Sequence, residues 1–300
     1  MEKFELIYDY RDNKRHNLEL LALIKREGTK STYEDWMVKY HWDDNYIPFA
    51  LVNEKGDIVC NVGVMKMNVF VGNTKYKATQ LISLLIKDSY KNKGLEKKLL
   101  TQIVNKFGNV VDLIYSFDST INDFLKEISD FKLSEEFRYI KPWDMTKTSS
   151  GIIIKKMDLN NTKDFDMLYS EIKHTTRVSP ILSTSGDASI KMFNILKYYD
   201  RNVYYVPSKD AVVVFVNDDH VFKLVSVYSK SNSNIEDLLN TLVPEGTRQV
   251  EFGFIPDQSI KDVEILTTEH DMNKRKLYIH DISAGVSKWK ICFPVLSRGR

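Results

Sequence analysis

The chain is short of several things that would assign it quickly. It has two cysteines in 300 residues, Cys60 and Cys292, both in apolar strand-like surroundings. That excludes a disulfide scaffold, fits a reducing compartment, and leaves no Cys/His spacing for a metal. The six histidines are scattered. No run approaches eighteen apolar residues, and Met-Glu-Lys-Phe-Glu carries no apolar signal region, so the expectation is a cytoplasmic protein with no membrane partner. No Gly-Lys-Ser/Thr closes a phosphate loop, and the three-glycine dinucleotide fingerprint is missing. The formal net charge of +2 does not demand nucleic acid.

What is present is ordinary globular material. The apolar fraction of 43% and charged fraction of 28% allow one large domain or two of usual size. Sixteen Tyr and fifteen Phe imply many aromatic core contacts or an aromatic-lined cleft. Periodicity predicts strands at 4–10, 46–52, 58–71 and 75–87, with hairpin turns at Glu54–Asp57 and Gly72-Asn73. Helices are predicted over 18–25, near 33–38, and over 94–107 and 120–130, with strands at 110–117 and 134–141.

The most informative stretch is Ser83 to Leu100. An apolar strand ends in a basic turn with one glycine, and a Lys-rich amphipathic helix follows. Free N–H groups of Asn92, Lys93, Gly94, Leu95 and Glu96 and the positive end of a helix dipole point at one spot, surrounded by Lys91, Lys93, Lys97 and Lys98. The spot suits a pyrophosphate, although strand, glycine turn and Lys-faced helix are also common α/β grammar.

Residues 143–150, Trp-Asp-Met-Thr-Lys-Thr-Ser-Ser, read as a polar linker. Beyond it strands at 151–155, 203–206, 211–216, 221–227, 249–254 and 275–279 and helices at 164–172, 188–196 and 235–242 repeat the hairpin, helix, strand order of the first half. The second half's counterpart of the phosphate turn, Ser229 to Asn234, has no glycine and little charge. A degenerate second copy and shared α/β architecture both explain the repetition.

Tyr90-Lys91-Asn92-Lys93-Gly94-Leu95-Glu96-Lys97-Lys98 resembles the coenzyme A loop of GNAT-family N-acetyltransferases, with Lys91 at the basic first position and Gly94 at the middle glycine. Asp35-Trp36, His41 to Pro48 and Phe293 to Ser297 resemble segments of a bacterial subgroup of that family. The resemblance implies tandem α/β (α+β) folds, each a mixed, mostly antiparallel sheet flanked by helices. It implies an acetyl-CoA domain at 1–145 and a degenerate domain at 151–300 that binds no nucleotide. It also implies acetyl-CoA as cosubstrate, held by Leu84, Leu85, Ile86 and residues 91–97, and a small-molecule or peptide amine as acceptor.

Two positions depart from that pattern. Glu96 stands where a small residue is usual. It suits a helix's first turn, and a side chain turned to solvent would keep its repulsion of phosphate small. Leu125 stands where the resemblance expects a proton-donating Tyr, and Leu cannot donate. Tyr115 and Asp118, around the end of the fifth strand, are the substitute candidates; packing or a hydrogen bond within the sheet competes for Tyr115. Trp42, Asp43 and Tyr46 belong to a polar-aromatic segment that suits a cationic amine or, equally, a capped loop. Rival functions are a non-catalytic acyl-CoA-binding module and an aminoacyl-tRNA-dependent transferase, the latter disfavoured by the modest charge and the lack of a long heptad segment. Homo-oligomerisation stays open.

Overall fold

The computed structural model describes residues 2–26, 44–147, 153–231, 234–267, 276–286 and 289–298. Trp42, Asp43 and the helix expected near 33–38 lie outside them.

The long apolar runs become one sheet. β1 (Glu5–Tyr8), β2 (Tyr46–Val52), β3 (Ile58–Val71) and β4 (Thr74–Ile86) are successive antiparallel neighbours. Gly72 takes φ +57° in the β3–β4 turn, a conformation glycine adopts without strain. β5 (Leu113–Ser116) then returns parallel to β4, after the helix Leu95–Phe107 has crossed over.

That helix follows α1 (Lys14–Arg26) and is labelled α2. Leu95, Leu99, Leu100, Ile103, Val104 and Phe107 are its buried apolar residues, at the spacing of one helical face. They pack with Phe49, Val62, Val64, Leu81 and Ile114 of the sheet. α3 (Ser119–Leu125) adds Ile121 and Leu125 to the same layer. It stops five residues short of the expected end. Glu127, Ile128 and Phe131 instead close tight turns onto Phe124, Leu125 and Ile128.

The segment expected as one strand at 134–141 is two, β6 (Lys132–Ser134) and β7 (Phe137–Pro142), and they serve different sheets. The first sheet runs β1-β2-β3-β4-β5-β15-β6, where β15 is Leu277–Asp281. The short β9 (Leu182–Ser185) lies against the far end of β3. The second sheet runs β14-β7-β13-β12-β11-β10-β8. Its members are β8 (Lys155–Lys156), β10 (Val203–Val206), β11 (Ala211–Asp218), β12 (Val221–Ser229), β13 (Gln249–Phe252) and β14 (Glu264–Thr267). The two halves of the chain thus exchange strands across residues 145–151: β7 goes one way, β9 and β15 the other.

Each sheet contains the same unit. β3–β4 is a hairpin, α2 follows, and β5 pairs parallel with β4. β11–β12 is a hairpin, α6 (Ile235–Leu242) follows, and β13 pairs parallel with β12. α4 (Thr162–His174) and α5 (Ala188–Tyr198) cover the second sheet, with Phe165, Leu168, Met192 and Ile195 against Val212, Val214 and Val225. Both cysteines are free and buried.

The last described residues are fastened inside. The Arg298 guanidinium lies 3.1 Å from the Glu136 carboxylate, donates to the Phe293 carbonyl at 2.9 Å and lies over the Phe117 ring. Asn194 donates to the carbonyls of Leu296 and Arg298. Among the described residues no helix is long and apolar enough to cross a membrane. None of their His, Cys, Asp and Glu side chains gather in threes or more to hold a metal.

Candidate cofactor groove

The first sheet opens between β4 and β5. Their parallel pairing covers Ala78 to Gln80 against Leu113 to Tyr115 and then ends. The cause is a bulge in β4. Asn61 pairs with Leu85 and Gly63 with Ile82, so Ser83 and Leu84 together stand opposite Val62. Ser83 takes φ +55°, uncommon for a residue with a side chain. A bulge bends and twists its strand, which carries Leu84–Ile86 away from β5.

Side chains replace the lost ladder. Ser116 Oγ donates to the Leu81 carbonyl at 3.0 Å. Asp118 accepts the Ser83 N–H at 3.0 Å with Oδ2, and Oδ1 accepts from Thr120 and Ile121 at the N-terminus of α3. The sequence reading found Asp118 but missed its partners Ser83 and Ser116. The signal was there in Asp118-Ser119-Thr120, a helix-capping pattern after an apolar run.

Leu84, Leu85 and Ile86 remain hydrogen-bonded to β3 on one edge, through Leu85 against Asn61 and Ile86 against Cys60. Their other edge faces the gap. The side chains of Leu84 and Leu85 are buried in the layers on either side of the sheet.

The turn lies at the end of this edge. Asp88–Tyr90 forms one short 3-10 turn, then Asn92 at φ +63° and Gly94 at φ +72° reverse the chain into α2. Gly94 is the N-cap and supplies no side-chain acceptor. The first N–H groups of α2 therefore lack the cap that serves them in α3. A Cβ at Gly94 would meet nothing within 4 Å, so the approach to this spot is open. This donor set, backbone N–H groups at the positive end of a helix, fits a phosphate.

The lysines are less free than their number suggests. Lys91 pairs with Asp88 at 2.7 Å and Lys97 with Glu127 at 2.8 Å. Lys93 lies 4.3 Å above the Tyr90 ring, and Lys98 is over Phe4. Glu96 is not turned to solvent as expected. It is 8% exposed, tucked beneath the start of α2. Burial, with the Glu96 charge added, pushes the Cys60 thiol far up. The inward turn follows from the i, i+3, i+4 spacing of Glu96 with Leu99 and Leu100, which puts it on the packed face.

Tyr115 and Leu125 are core residues here. Tyr115 is fully buried, on the face of the sheet away from α2, stacked on Phe293 at 4.7 Å and donating to the Met67 sulfur. Burial, with the charge of Asp187 behind it, holds its hydroxyl well above the ordinary phenol range. Leu125 is fully buried beside α2. Tyr46 is 6% exposed and lies across Gly63, where a Cβ would come within 2.7 Å of the phenol oxygen.

No family model and no curated protein matches the sequence. Solved structures do. The chain is similar to a GCN5-related N-acetyltransferase from Kribbella flavida, with TM-score 0.55 and 12% identity over 93% of this chain and 71% of that one. It is similar to a probable N-acyltransferase from Enterococcus faecalis V583, with TM-score 0.56 and 11% identity over 93% and 72%. Eis1 from Mycobacterium abscessus gives TM-score 0.56 and 10% identity over 96% and 76%. At such identities the likeness speaks for architecture: this chain has the fold of the GCN5-related N-acetyltransferases.

Proposed function

We propose that the protein is an N-acetyltransferase that uses acetyl-CoA and a primary amine of a small molecule or peptide. The observation that carries this reading is the groove: an unpaired β4 edge at Leu84–Ile86, freed by the Ser83 bulge, leading to the uncapped start of α2 at Gly94.

Acetyl-CoA brings the activated acyl group; the chain's residues position it. Backbone N–H groups of residues 92–97 take the pyrophosphate, and Gly94 lets it approach the main chain closely. The free edge of Leu84–Ile86 pairs with the pantetheine arm, and an N–H on that edge polarises the thioester oxygen. This main-chain recognition explains why leucine and isoleucine suffice there. Glu96, turned inward, keeps its charge away from the phosphates. The second half, residues 151–300, closes one side of the acceptor cleft and takes no nucleotide, and the protein works in the cytoplasm. Trp42, Asp43 and Tyr46 stay candidates for the amine.

Proton transfer separates this reading from a second one. Leu125 and Tyr115 are both sealed in the core, and that favours an acyl-CoA-binding module without transfer. Isothermal titration with acetyl-CoA, paired with a free-thiol assay over a panel of primary amines, distinguishes the two. Binding with thiol release supports the transferase. Binding without release from any amine supports the module. Absence of binding removes both.

A further inference from the structure

The second sheet opens as the first does. β12 and β13 run parallel from Val221/Gln249 to Leu224/Phe252 and then part. At the parting, a Cβ on Gly253 would sit 2.4 Å from the Val225 carbonyl oxygen, so only glycine lets the two chains touch there. Beyond it lies a cavity of about 350 Å³, with Ser229, Ile235, Asp257 and Ile260 in its wall. It shares Thr175, Thr176, Arg177, Val178 and Val227 with a larger cavity of about 550 Å³. The larger one runs along the far half of β3, from Asn45, whose carbonyl accepts from the Lys66 N–H, to Phe70. The groove begins at Ile82, opposite Gly63, and leads the other way, to Ile86 opposite Cys60.

The walls of the larger cavity carry charge of one sign. Lys173, Arg177 and Lys191 line it, and among the described residues no Asp or Glu does. Lys191 is paired at 2.8 Å with Asp187, which lies behind the wall and also accepts from Thr184. Lys173 and Arg177 therefore leave the cavity positive. Ser183 and Tyr228 also line it; they are 3% and 2% exposed, and their hydroxyl oxygens have no hydrogen-bond partner among the described residues. Ser226 is beside Tyr228 but outside hydrogen-bond geometry. Burial keeps the Tyr228 phenol protonated, hence a donor. Buried donors with nothing to bond are costly and call for an acceptor. Phe70, Ile172, Val178 and Pro294 supply apolar wall.

We propose that this cleft binds a small organic anion, a carboxylate or a phosphate ester on an apolar body, with Lys173 and Arg177 supplying charge and Tyr228 and Ser183 supplying fixed donors. None of these charged or hydroxyl groups belongs to the acetyl-transfer groove, so the anion site stands or falls without it.

Phenylacetate, phenyl phosphate and neutral phenylacetamide are the probes, titrated into the labelled full chain and followed by NMR. Saturable shifts at residues 183–191 and 225–228 with either anion are expected, and the preferred anion identifies the headgroup. The amide should bind about tenfold more weakly, the worth of a charge-assisted hydrogen bond. Tyr228→Phe deletes a hydroxyl that bonds nothing in the free protein, so its melting temperature should hold while anion affinity falls about tenfold. Lys173→Gln, a second variant at an exposed position, should weaken both anions. The proposal is overturned by absent or unsaturable shifts with both anions, by equal affinity for the amide, by unchanged affinity in Tyr228→Phe, or by a lowered melting temperature in that variant.

Discussion

Asp118 ties the two sides of the β4–β5 groove together: one carboxylate oxygen accepts the Ser83 N–H at 3.0 Å while the other caps α3. The bulge that frees the β4 edge and the helix beyond β5 are thus set by one side chain. Asp118→Ala should cost about 2 kcal/mol, from the lost cap and the lost hydrogen bond to a charged acceptor. Asp118→Asn retains an acceptor for the cap and loses the one for Ser83, so it should cost less yet still weaken acetyl-CoA binding. Urea denaturation and calorimetry on both variants check this; equal stability in all three proteins contradicts it.

Gly94 offers a clean separation of strain from charge. A Cβ there meets no atom within 4 Å, so Gly94→Ala carries only the left-handed backbone penalty, about 1 kcal/mol. Asn tolerates that conformation better. Gly94→Asn should therefore bind acetyl-CoA far better than Gly94→Asp, whose carboxylate opposes the pyrophosphate. Equal affinities in the two would remove the phosphate from this turn.

Leu125→Tyr is the obvious attempt to restore a proton donor, and the packing argues against it. Leu125 is fully buried among the α2 residues, and forcing a larger polar ring into such a place costs about 1–3 kcal/mol. A lowered melting temperature with no gain in turnover is expected. A gain in turnover would show that α3 yields to bring the phenol to the groove.

Glu136 and Arg298 form a buried pair between the halves. Removing either partner should destabilise by about 3–5 kcal/mol, because the other charge is left uncompensated. Glu136→Leu combined with Arg298→Met should recover most of that loss. A double variant no better than the singles would refute the coupling.

Asp187 sets an acid limit on stability. Burial works to raise its carboxyl, but the Lys191 charge and hydrogen bonds from Lys191, Ser297 and Thr184 hold it below the ordinary value. A depressed folded-state value adds stability above the unfolded carboxyl range, about pH 4, and loses it as pH falls through the lower folded value. Asp187→Asn should lower stability at neutral pH and flatten that acid limb in denaturation curves. An unchanged limb would place the acid sensitivity elsewhere.

The sequence made the frame legible where pattern and partner coincide. Tyr46–Val52, Ile58–Val71 and Ile235–Leu242 fold at the predicted bounds because long periodic runs need no distant information. Leu182–Ser185 and Glu264–Thr267 escaped notice because they are strands only by virtue of β3 and β7 beside them. The break between β6 and β7 was invisible for the same reason: alternation says that a residue sits in a sheet, never which sheet. In the candidate site, the Gly94 turn was readable from local chemistry. The inward turn of Glu96 and the Ser83 bulge depend on what packs across from them, and a single helix or strand does not reveal that.

The account rests most directly on where acetyl-CoA binds. Backbone-amide NMR of the labelled chain during an acetyl-CoA titration reads this out. The prediction is saturation at one equivalent, with the largest shifts at Leu84–Ile86 and residues 92–97 and none in Ser229–Asn234. No saturable binding, or shifts centred on the second-half turn, would contradict it.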